Sequence, residues 1–207
     1  MKKPIRLAVL LSGSGRTLQN FLDRVRAGTL QAEVVHVVSS LRKAYGLQRA
    51  RDNDIPATVV RKQDHDGVQA FSDAIWNQVK AAEPDLVALA GFMCQVRVPR
   101  EMFGRVVNIH PALLPAFGGQ GMYGHHVHEA VLEYGCKVSG CTVHFVNDEY
   151  DAGPIILQKT VPVLETDTAD TLADRVFEEE CKAYPEAINL FAQGRLSIAG
   201  RRVRIAP

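Results

Sequence analysis

The sequence predicts an α/β fold: a doubly wound, mostly parallel sheet, extended by antiparallel strands and followed by a long carboxy-terminal helix. Three observations predict it. Short continuous apolar runs, IRLAVLL at 5–11, EVVHVVSS at 33–40 and DLVALA at 85–90, mark strands buried on both faces. Stretches with helical apolar spacing lie between them, and strand–helix alternation of this kind builds a parallel sheet with helices on both faces. Beyond residue 137 the pattern becomes alternation (Val138, Cys141, Val143, Phe145), as in half-buried strands that pair with neighbours in sequence.

Residues 5–11 are the first strand. MKKPIRLAVLL has the outline of a signal peptide, but its apolar run is too short and SGSGR stands where a cleavage site belongs. A helix follows the glycine-rich turn 12–17, with Leu18, Phe21, Leu22 and Val25 on one face and Gly28 as its stop. Strand 33–40 contains His36, read as a packed or edge histidine. Next come a helix at 44–53, a strand at 57–60 and a helix at 68–82 that starts near Asp66 or Gly67 and stops before Pro84. Trp76 on that helix reads as core packing. Strand 85–90, a short helix at 99–103 and strand 105–110 complete the alternating part. AFGGQGMYG, 116–124, holds four glycines and no periodicity, and reads as a mobile loop and candidate lid. A helix at 127–134 precedes strands 137–147 and 154–163, joined by 148–153. The long helix runs from about 168 to 193, capped near Thr168–Asp170, with Pro185 expected to kink or split it. The short LSI and RVRI segments flank Ala199-Gly200 as a terminal hairpin.

Composition narrows the function. A length of 207 residues fits one domain, read as 1–207 with halves at 1–110 and 111–207. A net charge of +1, from 24 basic and 23 acidic residues, gives no basic stripe for nucleic acid and no membrane-surface patch. The basic clusters Lys2–Lys3 and Arg201, Arg202, Arg204 lie at the termini and read as solvated ends. The apolar runs are far too short to span a bilayer. None of Cys94, Cys136, Cys141 and Cys181 forms a C-x-x-C pair, so a reducing cytoplasm is expected rather than a disulfide framework or zinc ribbon.

Two stretches carry chemistry. In RVVNIHPALLP, 105–115, strand alternation puts Asn108 and His110 on one face, and Pro111 ends the strand. That places an amide beside an imidazole at a strand's carboxyl end, where open α/β sheets bind ligands. The pair suits a reaction in which a carbonyl oxygen becomes negative and a proton moves. The alternative is a strand end whose polar groups only satisfy nearby backbone. The second stretch is SGSGRT, 12–17, between a strand and a helix. Glycines let backbone approach a ligand, and the first-turn N–H groups of a helix attract anions. The spacing matches neither the dinucleotide fingerprint nor the P-loop, so a mononucleotide-type phosphate fits better than NAD or ATP. A plain tight turn is the alternative. The first, fourth and fifth strands would bring Gly13–Thr17, Gly91–Val96 and Asn108–His110 to one sheet edge.

SGSGRTLQ, LAGFM at 89–93, NIHPALLP at 108–115 and GCTVHFVNDEYDAGPIILQ at 140–158 together resemble the folate-dependent formyltransferases. Within that group the SGSGRTLQ loop is most similar to the phosphoribosylglycinamide formyltransferases of purine synthesis, and the resemblance covers nearly the whole chain. It implies a Rossmann-like formyltransferase domain in the cytoplasm, monomeric or homodimeric, acting on small molecules without nucleic acid, membrane or metal. The implied reaction moves the formyl group of 10-formyltetrahydrofolate to the glycinamide amine of 5'-phosphoribosylglycinamide, giving 5'-phosphoribosyl-N-formylglycinamide in de novo purine (IMP) biosynthesis. The phosphate-binding half would be 1–110 and the folate-binding and catalytic half 111–207.

The resemblance also implies roles. Asn108, His110 and Asp151 would be catalytic: Asn108 and imidazolium His110 donate to the tetrahedral oxyanion, and Asp151 raises the pKa of His110. Gly13, Ser14, Gly15, Arg16 and Thr17 would cradle the ribonucleotide phosphate, and Glu180 would contact the ribose hydroxyls. Arg16 stands where relatives carry a small polar residue, adding charge near phosphate or facing solvent. Glu180 is otherwise one of three surface glutamates. Met93, Cys94, Gln95, Val96, Asn108, Asp148 and Asp151 would bind folate, with Leu89 and Val143 as apolar walls. Cys94 and Val68 stand where relatives often carry arginines near the folate tail. His125, His126 and His128 read cold as a metal motif, but adjacent histidines at a helix start diverge and no carboxylate or cysteine completes the set. Two rivals remain. One is a formyl hydrolase or amino-sugar formyltransferase, whose usual extra domains find no room in this length. The other is a non-enzymatic phosphate- or folate-binding module.

Overall fold

The computed structural model describes residues 3–207, so Lys2 of the terminal lysine pair lies outside it. The chain divides into two compact units, Met1–Val107 and Asn108–Pro207. In the first, β1 (Ile5–Leu11), β2 (Ala32–Ser39), β3 (Ala57–Val59) and β4 (Leu86–Leu89) lie in the order β3-β2-β1-β4. Every pairing among them is parallel. Leu7 to Leu11 of β1 are fully buried, as a strand covered on both faces requires. Each such leucine removed from water contributes about 1.5–3 kcal/mol.

Helices α1 (Arg16–Arg26), α2 (Gly46–Arg51) and α3 (Gly67–Ala81) connect these strands. Leu18, Phe21 and Leu22 form the buried face of α1, and Gly28 adopts φ 69° just beyond its cap at Ala27. Phe71, Ile75 and Val79, four residues apart, are the buried stripe of α3. Trp76 is buried beside them, and its indole N–H donates to the Arg97 carbonyl at 2.6 Å. His36 is a packed histidine whose Nε2 meets the Thr58 hydroxyl at 3.0 Å. The expected helix at 99–103 is a 3-10 turn at Arg100–Met102, and a second such turn occurs at Lys62–Asp64.

Strand β5 (Val106–His110) carries the chain into the second unit. There follow α4 (His125–Glu133), β6 (Val138–Phe145), β7 (Ile155–Pro162), α5 (Ala169–Ala192), β8 (Leu196–Ala199) and β9 (Arg202–Ile205). The strand order is β5-β6-β7-β9-β8. β6 and β7 are antiparallel with a register shift between Val143 and His144, and β8 and β9 form the terminal hairpin. α5 packs on β6 and β7. A capping box starts it: Thr168 Oγ1 accepts from the Thr171 N–H at 3.2 Å, and Thr171 Oγ1 accepts from the Thr168 N–H at 3.0 Å.

Pro185 does not split α5, which is one helix of 24 residues. A proline inside a helix costs about 3 kcal/mol through a lost hydrogen bond and a clash. Burial of Leu172, Val176, Tyr184, Ala187 and Ile188 along the same helix offsets that cost. No helix among the described residues is long and apolar enough to cross a membrane. All four cysteines are free thiols.

Candidate active site

In the first unit, the turn after β1 leads into α1 through Gly15, whose φ of 70° and ψ of 29° are left-handed. A side chain there is excluded twice. The backbone is strained for any residue with a Cβ, and that Cβ would sit 2.7 Å from the Gly46 Cα. Gly13, Ser14 and Arg16 are exposed, Thr17 is half-buried and Gly15 is buried. The segment Gly91–Val96 is joined to this turn by buried Ser12. The Ser12 N–H donates to the Gly91 carbonyl at 3.0 Å, and Ser12 Oγ accepts from the Met93 N–H at 2.9 Å. Ser40 Oγ lies 2.6 Å from the same hydroxyl. The residues expected to hold phosphate and those expected to hold folate are thus tied together at their roots. Met93 is exposed, Cys94 and Gln95 are half-buried, and Val96 and Leu89 are buried.

The second unit brings Asn108, His110 and Asp151 together. Strand alternation puts the first two on one face, and Asp151 arrives from the turn after β6 with a left-handed φ of 52°. A non-glycine residue there stores about 1–3 kcal/mol of strain. Three groups hold its carboxylate in place. Gly119 donates its N–H to Oδ2 at 3.0 Å, Asn108 Nδ2 donates to Oδ1 at 3.4 Å, and His110 Nδ1 lies 3.5 Å from Oδ2. Gly153, two residues on, permits this turn, since a Cβ there would lie 1.7 Å from the Phe145 carbonyl oxygen.

His144, which the sequence reading did not single out, completes the cluster. It is 2% exposed. Its Nδ1 donates to the Phe145 carbonyl at 2.9 Å, so the neutral ring's Nε2 accepts from Asn108 Nδ2 at 3.2 Å. The Asn108 amide therefore aims its two hydrogens at His144 and Asp151. The turn that follows His110 is braced by two further residues the sequence reading passed over, Thr142 and Gln158. Thr142 Oγ1 donates to the Ala112 carbonyl at 2.7 Å and accepts from the Leu114 N–H at 3.0 Å and from Gln158 Nε2 at 2.9 Å. Gln158 Nε2 also donates to the Leu114 carbonyl at 3.0 Å. The buried hydroxyl thus uses its one donor and both acceptor positions.

Asp151 acts to raise the His110 pKa as expected, but it does not set the net shift. His110 has a pKa below, not above, that of an ordinary histidine. Burial of the ring, with 4% of its side chain exposed, outweighs the raising effects of Asp151 and the Phe117 carbonyl. Neutral imidazole, not imidazolium, is therefore the form at neutral pH. The glycine-rich loop, expected to be a mobile lid, meets the cluster at two points. His110 Nε2 donates to the Phe117 carbonyl at 2.7 Å, and Gly119 holds Asp151 as described. Asp151 itself is held below the usual carboxylate range. Its burial acts in the raising direction, but His144, His110 and the Gly119 N–H together prevail.

Glu180 is half-buried on α5, and Asp148 is exposed in the turn before Asp151. Glu180 helps burial push the Cys141 thiol up to about 12, which places its charge toward β6. The three histidines near α4 diverge. His125 pairs with Asp170 at 3.3 Å and His126 with Glu129 at 3.4 Å, while His128 is buried. Among the described residues no group of three or more His, Cys, Asp or Glu side chains is arranged to hold a metal ion.

Three comparisons give this geometry a context. A family model described as formyl transferase matches residues 5–188. The phosphoribosylglycinamide formyltransferase of Haemophilus influenzae is 36% identical over 196 residues, covering 93% of this chain and 90% of that protein. The trifunctional purine biosynthetic protein adenosine-3 of Bos taurus is 42% identical over 203 residues, covering 96% of this chain. The chain spans about a fifth of the length of that trifunctional relative, 20%. The crystal structure of glycinamide ribonucleotide transformylase 1 from Symbiobacterium toebii superposes with a TM-score of 0.93 at 47% identity, covering 100% of this chain and 96% of that one.

Proposed function

We propose a reaction from an established premise: the chain belongs to the formyl transferase family. The reaction is transfer of the formyl group of 10-formyltetrahydrofolate to the glycinamide amine of 5'-phosphoribosylglycinamide, a step of purine synthesis. The observation that carries it is the convergence of Asn108, at 3.4 Å, and His110, at 3.5 Å, on the Asp151 carboxylate. Acyl transfer needs a donor for an oxyanion, a group that moves a proton and a charge that steadies it, and these three residues supply them.

In this reading the amine attacks the formyl carbon, and a tetrahedral oxyanion forms. Asn108 Nδ2 donates to that oxygen, giving up its 3.4 Å contact with Asp151. The growing negative charge offsets the burial that keeps His110 neutral, so His110 takes up the proton the attacking amine releases. Asp151 stabilises the imidazolium. The carbon–nitrogen bond to the folate then breaks, and the proton passes to the leaving nitrogen. For His110 Nε2 to take that proton, the Phe117 carbonyl must release it and the ring hydrogen must move to Nδ1, facing Asp151, which couples chemistry to the loop 116–124.

Gly13 to Thr17 hold the phosphate, and Glu180 the ribose. Met93 to Val96, Asn108, Asp148 and Asp151 hold the folate, largely through backbone. The phosphate turn lies in residues 1–110, the half proposed for phosphate binding, and Asp148 and Asp151 lie in 111–207, the half proposed for folate binding and catalysis, in a cytoplasmic monomer or homodimer that needs no metal.

The test is a spectrophotometric assay of 10-formyl-5,8-dideazafolate deformylation with and without glycinamide ribonucleotide. A change that requires the ribonucleotide is expected. Formate release without any amine makes the chain a hydrolase, and binding without turnover makes it a non-enzymatic module.

A further inference from the structure

We infer that Arg49 is a positioning residue for the anion loop, setting the direction in which the loop's peptide groups face. The inference rests on the proposed reading of Gly13–Thr17 as the phosphate-binding turn. Three contacts fix the Arg49 guanidinium. Nε donates to the Ser14 carbonyl at 3.0 Å, Nη1 donates to Gln19 Oε1 at 2.7 Å, and the group lies over the Tyr45 ring, 5.0 Å from its centroid. Beside it, the Gly46 N–H donates to the Gly13 carbonyl at 3.1 Å. The start of α2 therefore captures two successive loop carbonyls, one through a side chain and one through backbone.

The consequence follows from peptide planarity. In a trans peptide the carbonyl and the next residue's N–H point in opposite directions. Drawing the Gly13 and Ser14 carbonyls toward α2 turns the N–H groups of Ser14 and Gly15 the other way. Successive N–H groups presented together, with a left-handed residue among them, form an anion-binding nest. If either peptide turned over, a carbonyl oxygen would face the phosphate and repel it. Gly15 permits the close approach, because a Cβ there would strike the Gly46 Cα.

Arg49 is thus distinct from a phosphate ligand. A lysine keeps its charge but cannot span the Ser14 carbonyl and Gln19 from one rigid fork. The experiment compares full-length wild type, Arg49→Gln and Arg49→Lys, each checked for folding by circular dichroism. Steady-state kinetics vary each substrate, and calorimetric titration uses inorganic phosphate as the probe. For Arg49→Gln the KM for glycinamide ribonucleotide should rise about 10- to 100-fold, the scale of one charge-assisted hydrogen bond. The kcat and the KM for the folate analogue should stay within about two-fold on the same argument. Arg49→Lys should recover only part of the loss. A ribonucleotide KM within two-fold of wild type, or full rescue by lysine, overturns the inference. So does an equal rise in both KM values, which marks a merely structural role. If the wild type shows no turnover, the proposed reaction fails, and the phosphate titration decides the inference alone. Weaker phosphate binding in Arg49→Gln by ten-fold or more supports it; equal binding, or none to the wild type, overturns it.

Discussion

His110 Nδ1 lies 3.5 Å from Asp151 Oδ2, and in the neutral ring no proton stands between them, because the hydrogen sits on Nε2 facing the Phe117 carbonyl. The two residues are set to bond only when His110 gains a second proton. Burial is the larger influence on the ring and the Asp151 charge opposes it. Replacing Asp151 by Asn removes the opposing influence and leaves the burial, so the His110 pKa should fall further. Ring-proton chemical shifts of His110 followed against pH in both proteins check this. A midpoint that stays put or rises in the Asn variant refutes the electrostatic linkage.

The same geometry sets the cost of removing Asn108. An aimed donor to a transition-state oxyanion contributes about 3–4 kcal/mol, or roughly 100- to 1,000-fold in rate. Asn108→Ala should lose that much in kcat with little change in the ribonucleotide KM. Asp151→Asn and His110→Ala should each remove most turnover while the protein stays folded. Near-wild-type rates in any of the three take the oxyanion-and-proton role from that residue.

His144 gives a separate prediction, since it orients Asn108 without standing beside it in sequence. Its ring accepts from the half-buried Asn108 amide and donates to the buried Phe145 carbonyl. His144→Leu leaves those two groups without a partner, at about 1–3 kcal/mol each. Denaturant melts should show the lost stability. Kinetics should show a lower kcat at unchanged ribonucleotide KM, because the role proposed for His144 is to orient Asn108. A loss in KM alone means that His144 does not act through Asn108.

The turn after Asp151 depends on Gly153. A Cβ there meets the Phe145 carbonyl oxygen at 1.7 Å, and neither atom belongs to a flexible side chain. Gly153→Ala must shift backbone at the carbonyl that also accepts from His144. Overpacking of this kind costs about 1–3 kcal/mol or more. A variant that melts at the wild-type denaturant midpoint with wild-type kcat shows that the turn relaxes freely.

Much of this was legible in the sequence because it is local. Alternation put Asn108 and His110 on one strand face, and the glycine turn before a helix marked the turn proposed to hold phosphate. Asp151 lies 43 residues from Asn108, so only the D-x-G-P-I motif pointed to it. His144 was hidden because β6 is buried at every position from Ser139 to Phe145, so alternation singles out no one face. Its one signal was an imidazole seven residues before Asp151 in a strand of mostly apolar and small residues. Thr142 gave a similar hint, as a polar residue in a buried strand, whereas Gln158 lies at an exposed position of β7 and gave none. The direction of the His110 shift was not readable, because burial sums over many neighbours while a carboxylate partner is visible as one residue.

His128 makes the acid stability of the fold a measurable quantity. It is buried, its Nδ1 has no hydrogen-bond partner among the described residues, and burial, with His125 and His110 nearby, pushes its pKa down to about 4. The unfolded chain takes up a proton near the ordinary histidine value of 6.5, and the folded chain resists until about 4. Between those values the unfolded state binds more protons, so stability falls as pH falls. A shift of this size corresponds to about 3 kcal/mol, complete below the folded value. His110, shifted in the same direction, adds to the slope. Urea unfolding of wild type and His128→Leu should therefore diverge with acidification, the variant losing about 3 kcal/mol less between pH 7 and pH 4. Parallel losses in the two proteins mean that His128 is hydrated or protonated in the native state, and that another group sets the acid limit.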